Sequence, residues 1–173
     1  MTFTLAQRLA LSAFVTFVLA GELHAHVPTG RPVTGQVIVE GVAVTGGVQE
    51  DVKAPHTAAG RKSTFDTIRF VKRTNRIPAN LGVAFGFEYQ LTGLPVAVPL
   101  SFEIRAIHPP LTGKDGKVRT ISTAQMEVFS DDGTYQDALI YRLSEPYEVV
   151  PGRWILEMLF EGKQIFSREF ILE

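Results

Sequence analysis

From residue 36 onward, apolar and polar side chains alternate with a period of two, the signature of a strand with one buried face. In Val83–Leu91 the odd positions Val83, Phe85, Phe87, Tyr89 and Leu91 are apolar, and Ala84, Gly86, Glu88 and Gln90 fall between them. Val98–His108 places Val98, Leu100, Phe102, Ile104 and Ala106 on one face and Ser101, Glu103 and Arg105 on the other. Arg153–Glu161 turns Trp154, Leu156, Met158 and Phe160 inward.

Weaker runs fill the gaps: Gln36–Val44, Thr64–Arg73, Ile121–Phe129, Tyr135–Leu143 and Gln164–Leu172. In Thr64–Arg73 the alternation slips, because Ile68 and Phe70 share a face with Asp66 and Lys72, as a bulge or an edge position would explain. Turns are expected at Gly46-Gly47, Gly93-Leu94-Pro95, Lys114–Lys117, Asp131-Asp132-Gly133, Pro151-Gly152 and, as a tight hairpin, Glu161-Gly162-Lys163. Eight strand-like runs without an amphipathic helix predict an all-β, antiparallel β-sandwich. A closed barrel satisfies the same periodicity.

The start of the chain follows another pattern. A short region with one positive charge, Met1 to Arg8, precedes twelve uncharged residues, Leu9–Ala20. As a helix this run spans roughly 18 Å, short of the ~30 Å hydrocarbon core, so it reads as a cleavable signal peptide and not as a membrane anchor. Cleavage after Ala20 or after Ala25 fits the small-residue rule, and the second removes the polar Gly21–His24 stretch. Glu22 stands where lipidation would need a cysteine. The expected organisation is a signal peptide over 1–25, a flexible mature N-terminus over 26–35 and one sandwich domain over 36–173. The expected location is the periplasm or the exterior, with no integral membrane segment in the mature protein.

Composition narrows the chemistry. The 173 residues carry 17 basic and 18 acidic side chains and no cysteine. Disulfides, thiolate metal sites and cysteine nucleophiles are thereby excluded. The near-neutral balance, together with export, excludes nucleic acid as a partner. There is no Gly-x-Ser-x-Gly elbow, His-Glu-x-x-His, Walker loop or Gly-x-Gly-x-x-Gly, so no enzyme activity and no cofactor are expected. Asp131-Asp132 with Ser130 offers too few oxygens for a hard-cation loop and reads as a hairpin tip. Glu103 and Glu157 read as ordinary surface charges, and Trp154 as a core anchor.

Several segments in order carry a resemblance. They are Ala54-Pro55-His56-Thr57-Ala58-Ala59-Gly60, then Thr74–Ala79, then Gly82–Tyr89, and later Pro151-Gly152-Arg153-Trp154, Phe160–Lys163 and Phe170. Together they resemble the bacterial family catalogued as domain of unknown function 3859, over roughly Gln36 to Glu173. The resemblance implies an exported, immunoglobulin-like β-sandwich and supplies no catalytic residues.

Two binding readings remain beside the plain one of a non-enzymatic interaction module for an unknown protein or anionic surface. In the first, cleavage after Ala25 exposes His26, whose amine and imidazole could hold Cu(II) with His108, or next His56, as a further nitrogen ligand. In the second, Arg61, Lys62, Arg69, Lys72, Arg73 and Arg76 form a basic patch over 61–76 for anionic glycan or lipid head groups. Six cations against Asp66 give that window +5, which leaves −6 for the rest of a chain of net charge −1. A protected edge strand would carry the same charges. Intact mass and N-terminal sequencing of the exported protein should find a chain starting at His26 or Gly21; a chain still starting at Met1 would remove the signal peptide.

Overall fold

The computed structural model describes residues 32–173. They form strands β1 (Thr34–Lys53), β2 (Arg61–Lys72), β3 (Arg76–Ile77), β4 (Ala84–Thr92), β5 (Leu100–Thr112), β6 (Val118–Val128), β7 (Thr134–Arg142), β8 (Gly152–Phe160) and β9 (Lys163–Leu172). One 3₁₀ turn, Pro146–Glu148, lies between β7 and β8. A four-stranded sheet runs in the order β2-β1-β4-β7 and a five-stranded sheet in the order β3-β9-β8-β5-β6. Each sheet keeps its own two edges, so the molecule is a sandwich and not a closed barrel. Among the described residues no helix is long and apolar enough to cross a membrane. The expected signal peptide and His26 lie outside the described residues.

All eight expected runs are strands, and β3 is a ninth. It is a two-residue strand pairing parallel to β9, too short for any periodicity to announce it. Two boundaries also differ from expectation. Gly46-Gly47 is not a turn: both glycines lie inside the 20-residue β1, and the chain reverses at 54–60. At Gly46 a Cβ would collide with Thr67 Oγ1 on β2, so the glycine serves a close approach of two strands. Second, β5 runs past His108 through Pro109-Pro110 to Thr112, with the prolines inside an irregularity between Ile107 and Leu111. A bulge is where a strand tolerates residues that cannot donate to the ladder.

The slipped alternation in β2 has both anticipated causes. β2 is an edge strand, and its register with β1 jumps between Val42↔Lys72 and Ala43↔Phe70, which leaves Val71 as the extra residue. Gly41 and Gly86 face each other across β1 and β4 with φ of 144° and 157°. A Cβ on Gly86 would strike the Leu139 carbonyl on β7, and one on Gly41 the Lys72 carbonyl on β2. This glycine pair lets four strands pack at normal spacing.

The core fills with the alternating residues. Phe85, Phe87, Tyr89 and Leu91 from β4 meet Trp154, Leu156 and Met158 from β8, Phe102 from β5, and Phe166 and Phe170 from β9, all buried. Trp154 is the hub. Its ring centroid lies 5.9 Å from Phe85 in an edge-to-face arrangement and 4.9 Å from Tyr141, and its indole N–H donates to Val150 O at 3.1 Å. Trp154→Ala should therefore cost about 3–5 kcal/mol, since the cavity cannot collapse under neighbours held from both sheets. Urea unfolding would show this as a lower midpoint; a change below about 1 kcal/mol would mean that the hub is dispensable.

Candidate functional site

The basic window does not fold into one patch. From Arg61 to Lys72 the chain takes eleven strand steps, an extended length of about 36 Å at roughly 3.3 Å per step. Arg61 lies at one end, 3.5 Å from Glu145, and beside it Lys62 Nζ donates to Gln125 O at 3.2 Å. Arg69, Lys72 and Arg73 are exposed at the other end and make no ion pair among the described residues. Arg76 has moved to the second sheet with β3, where it holds Glu173 at 2.6 Å. Proximity in sequence misled here because a straight strand spreads its charges along its length.

The Arg61 end builds something more specific. The second half of β1 and the first half of β2 continue beyond β4 as a two-stranded arm that reaches the edge of the other sheet. Its loop is tied down there: Thr123 N donates to His56 O at 3.1 Å, Ala58 N to Ser122 Oγ at 3.0 Å, and Tyr147 Oη to Ala58 O at 3.3 Å. The arm thus covers β6, an edge strand that would otherwise present free backbone groups. Between arm, β6 and β7 lies a cleft of about 120 Å³ that opens to solvent. Phe65, Ile104, Ala106, Ala124, Leu139 and Leu156 give it apolar walls, and Arg61, Lys62, Arg105, Arg142 and Glu148 are its charged residues.

Glu148, which sequence reasoning did not single out, is 1% exposed. Its Oε1 accepts from Tyr141 Oη at 2.8 Å, and its Oε2 accepts from the backbone N–H groups of Ser144 and Glu145 at 2.8 and 2.9 Å. Burial raises its carboxyl above the ordinary range, and these three donors pull the other way. The Glu145-Pro146-Tyr147-Glu148 spacing is that of a capping box with proline in the first turn, a signal that could have found it.

His108 is 4% exposed, with its ring 5.1 Å from Trp154. Nδ1 lies 2.9 Å from Pro109 O, which can only accept, so Nδ1 carries the hydrogen; Nε2, 3.0 Å from Ser122 Oγ, then accepts from the hydroxyl. Both nitrogens are engaged, and a metal could take His108 only by displacing Ser122. His56 is exposed on the arm loop. Among the described residues no three His, Asp or Glu side chains gather as a metal group.

Glu103, Glu157 and Asp132 are countered or structural. Glu103 accepts two hydrogen bonds from Arg105, at 3.2 and 2.7 Å, and Glu157 lies 3.7 Å from the same guanidinium. Asp132 accepts from Thr134 N at 2.8 Å and Oγ1 at 2.7 Å, and this hairpin tip holds its carboxyl below the usual range.

These observations define an immunoglobulin-like β-sandwich with a cleft under an arm. The same architecture occurs in an immunoglobulin-like protein from Pseudomonas aeruginosa, 22% identical, with a TM-score of 0.53 over 80% of this chain and 97% of that one. Residues 38–172 match the family model described as domain of unknown function (DUF3859), and the chain belongs to that family. Partial likenesses extend to the alkylpurine DNA glycosylase AlkC of Pseudomonas fluorescens and a β-glucosidase of Listeria innocua, 15% and 8% identical, each with a TM-score of 0.37. They cover 57% and 67% of this chain but only 28% and 17% of those longer proteins. No curated protein matches the sequence.

Burial pulls the His108 imidazole below its ordinary 6.5, opposed by the Pro109 hydrogen bond. Below about pH 6.5 the unfolded chain takes up a proton that the folded protein refuses until its lower pKa is reached. Stability therefore falls on acidification, by at most about 1.4 kcal/mol per pH unit. His108→Gln should show a smaller drop in melting temperature between about pH 7.5 and pH 5.5 than the parent; an equal drop would place the acid sensitivity elsewhere.

Proposed function

We propose that the protein is an exported, non-enzymatic binding module whose recognition site is the cleft between arm, β6 and β7. The observation carrying this reading is the coincidence of an open apolar cavity with cationic walls. At about 120 Å³ the cleft compares with cavities of about 150 Å³ that hold a benzene ring. It accepts one apolar side chain or a short alkyl group and no large ligand. Lys62 and Arg142 border it and form no ion pair among the described residues, whereas its one carboxylate, Glu148, is consumed by three hydrogen bonds. A ligand with a small apolar body and a negative group fits these walls.

The absence of catalytic motifs and the engagement of both His108 nitrogens support a binding role over a chemical one. Export rests on the Leu9–Ala20 segment.

The test is an NMR titration with hexanoate, with hexylamine as the charge control. Hexanoate should shift resonances of Ile104, Ala106, Ala124 and Leu139, and Ala124→Leu, which fills the cleft, should reduce the affinity at least tenfold. Shifts confined to other surfaces, or equal binding of hexylamine, would overturn the reading.

A further inference from the structure

The two sheets are unequal where the cleft lies. β7 closes one side of the four-stranded sheet, while the five-stranded sheet ends in β5 and then β6. Among the described residues no strand pairs with the outer side of β7. The backbone of β7 shows what this edge offers. Leu143 N donates to Val83 O, and Leu143 O accepts from Gly82 N, so residue 143 turns its main chain toward the β4 side. Antiparallel alternation then turns the odd residues of β7 toward β4 and the even ones away from it.

The outward groups are not equivalent. Thr134 N is taken by Asp132 Oδ1 at 2.8 Å and Ala138 N by Asp137 Oδ1 at 2.7 Å. Arg142 O accepts from Ser144 Oγ at 3.1 Å. Near the cleft, the N–H and C=O of Ile140 and the N–H of Arg142 have no partner among the described residues. Side chains thus take the outward N–H groups of Thr134 and Ala138 and leave Ile140 open, at the point where Leu139–Arg142 line the cleft.

We infer that an extended acidic peptide segment of a partner protein adds as a short strand to β7 at Ile140–Arg142, with an apolar side chain in the cleft. This deepens the proposed function, on which it rests, by naming the occupant. Backbone pairing supplies affinity without regard to sequence, and the alternate side chains supply the choice. An added strand turns every second side chain toward the gap between the sheets, where Phe65, Ile104 and Leu156 wait. The intervening residues lie at the rim with Lys62 and Arg142, whose uncompensated charges favour carboxylates. Asp137 confines pairing to about one or two residues of β7, so the interaction is a short clamp and not an extended sheet.

The probe is a capped hexapeptide of alternating glutamate and leucine, tested on the full mature chain. Hydrogen exchange should slow at least tenfold at the amides of Ile140 and Arg142, and not at those of Tyr135 or Leu139. A peptide methylated on alternate backbone nitrogens, so that its pairing N–H groups are lost, should bind at least tenfold more weakly, as should a lysine–leucine hexapeptide. Ile140→Pro removes an N–H that lies outside the ladder with β4. It should abolish peptide binding, with an unchanged melting temperature as the check on folding; Lys62→Glu should weaken the binding of peptide and hexanoate alike. Equal binding of the methylated peptide, or protection confined to other strands, would overturn strand addition. If hexanoate bound at the cleft while the peptide did not, this inference would fail and the binding reading would stand. Failure of hexanoate as well would remove both.

Discussion

The packing of Trp154 against rings from both sheets is the contact on which the rest of the structure depends. Without cysteine, nothing covalent holds the sheets together, so their association comes from apolar burial between inner faces. Trp154 from the five-stranded sheet meets Phe85 and Tyr141 from the four-stranded one, and its indole N–H is satisfied by Val150 O. Tyr141 in turn spends its hydroxyl on Glu148, which gathers the turn before β8. A buried carboxylate left without donors would be costly, and here three donors offset the desolvation. The core and the floor of the cleft are therefore one structure: the ring that packs on Trp154 also fixes the acid in the cleft wall.

Edges are the second theme. A sandwich has four, and each is handled differently. β2 carries Arg69 and Lys72 outward with a bulge between them. β3 is only two residues long. β6 lies under the arm, held by Ala58 and His56. β7 has Asp132 and Asp137 on two of its outward N–H groups and leaves Ile140 open beside the cleft. Three edges are thus blunted by charge, brevity or cover, and the fourth only in part.

The strands were legible because their cause is local. Alternation at Phe85–Leu91 or Trp154–Phe160 follows from burying one face, and that demand is written residue by residue. The failures have equally physical origins. Gly46-Gly47 resembles a turn because glycine serves turns and close strand approaches alike, and only the position of Thr67 separates the two. The basic window looked like one site because linear density ignores the length of a strand. Sequence does not show that Pro109 and Ser122 engage the ring nitrogens of His108. The cleft was invisible, since its walls come from segments as distant as Phe65, Ile104 and Leu139. Of its polar residues, Arg61 and Lys62 fell within the basic window, and Glu148 left a trace in the spacing of its turn.

The arm has a consequence for how the molecule forms. Ala58 meets Ser122 across 64 residues of chain. Until β5, β6 and the turn after β7 are in place, the arm has nothing on which to rest. Closing so long a loop brings little reward before its end, which puts docking of the arm among the last events of folding. A segment held by one small buried side chain, Ala58, and a few hydrogen bonds is the part whose release costs least short of global unfolding.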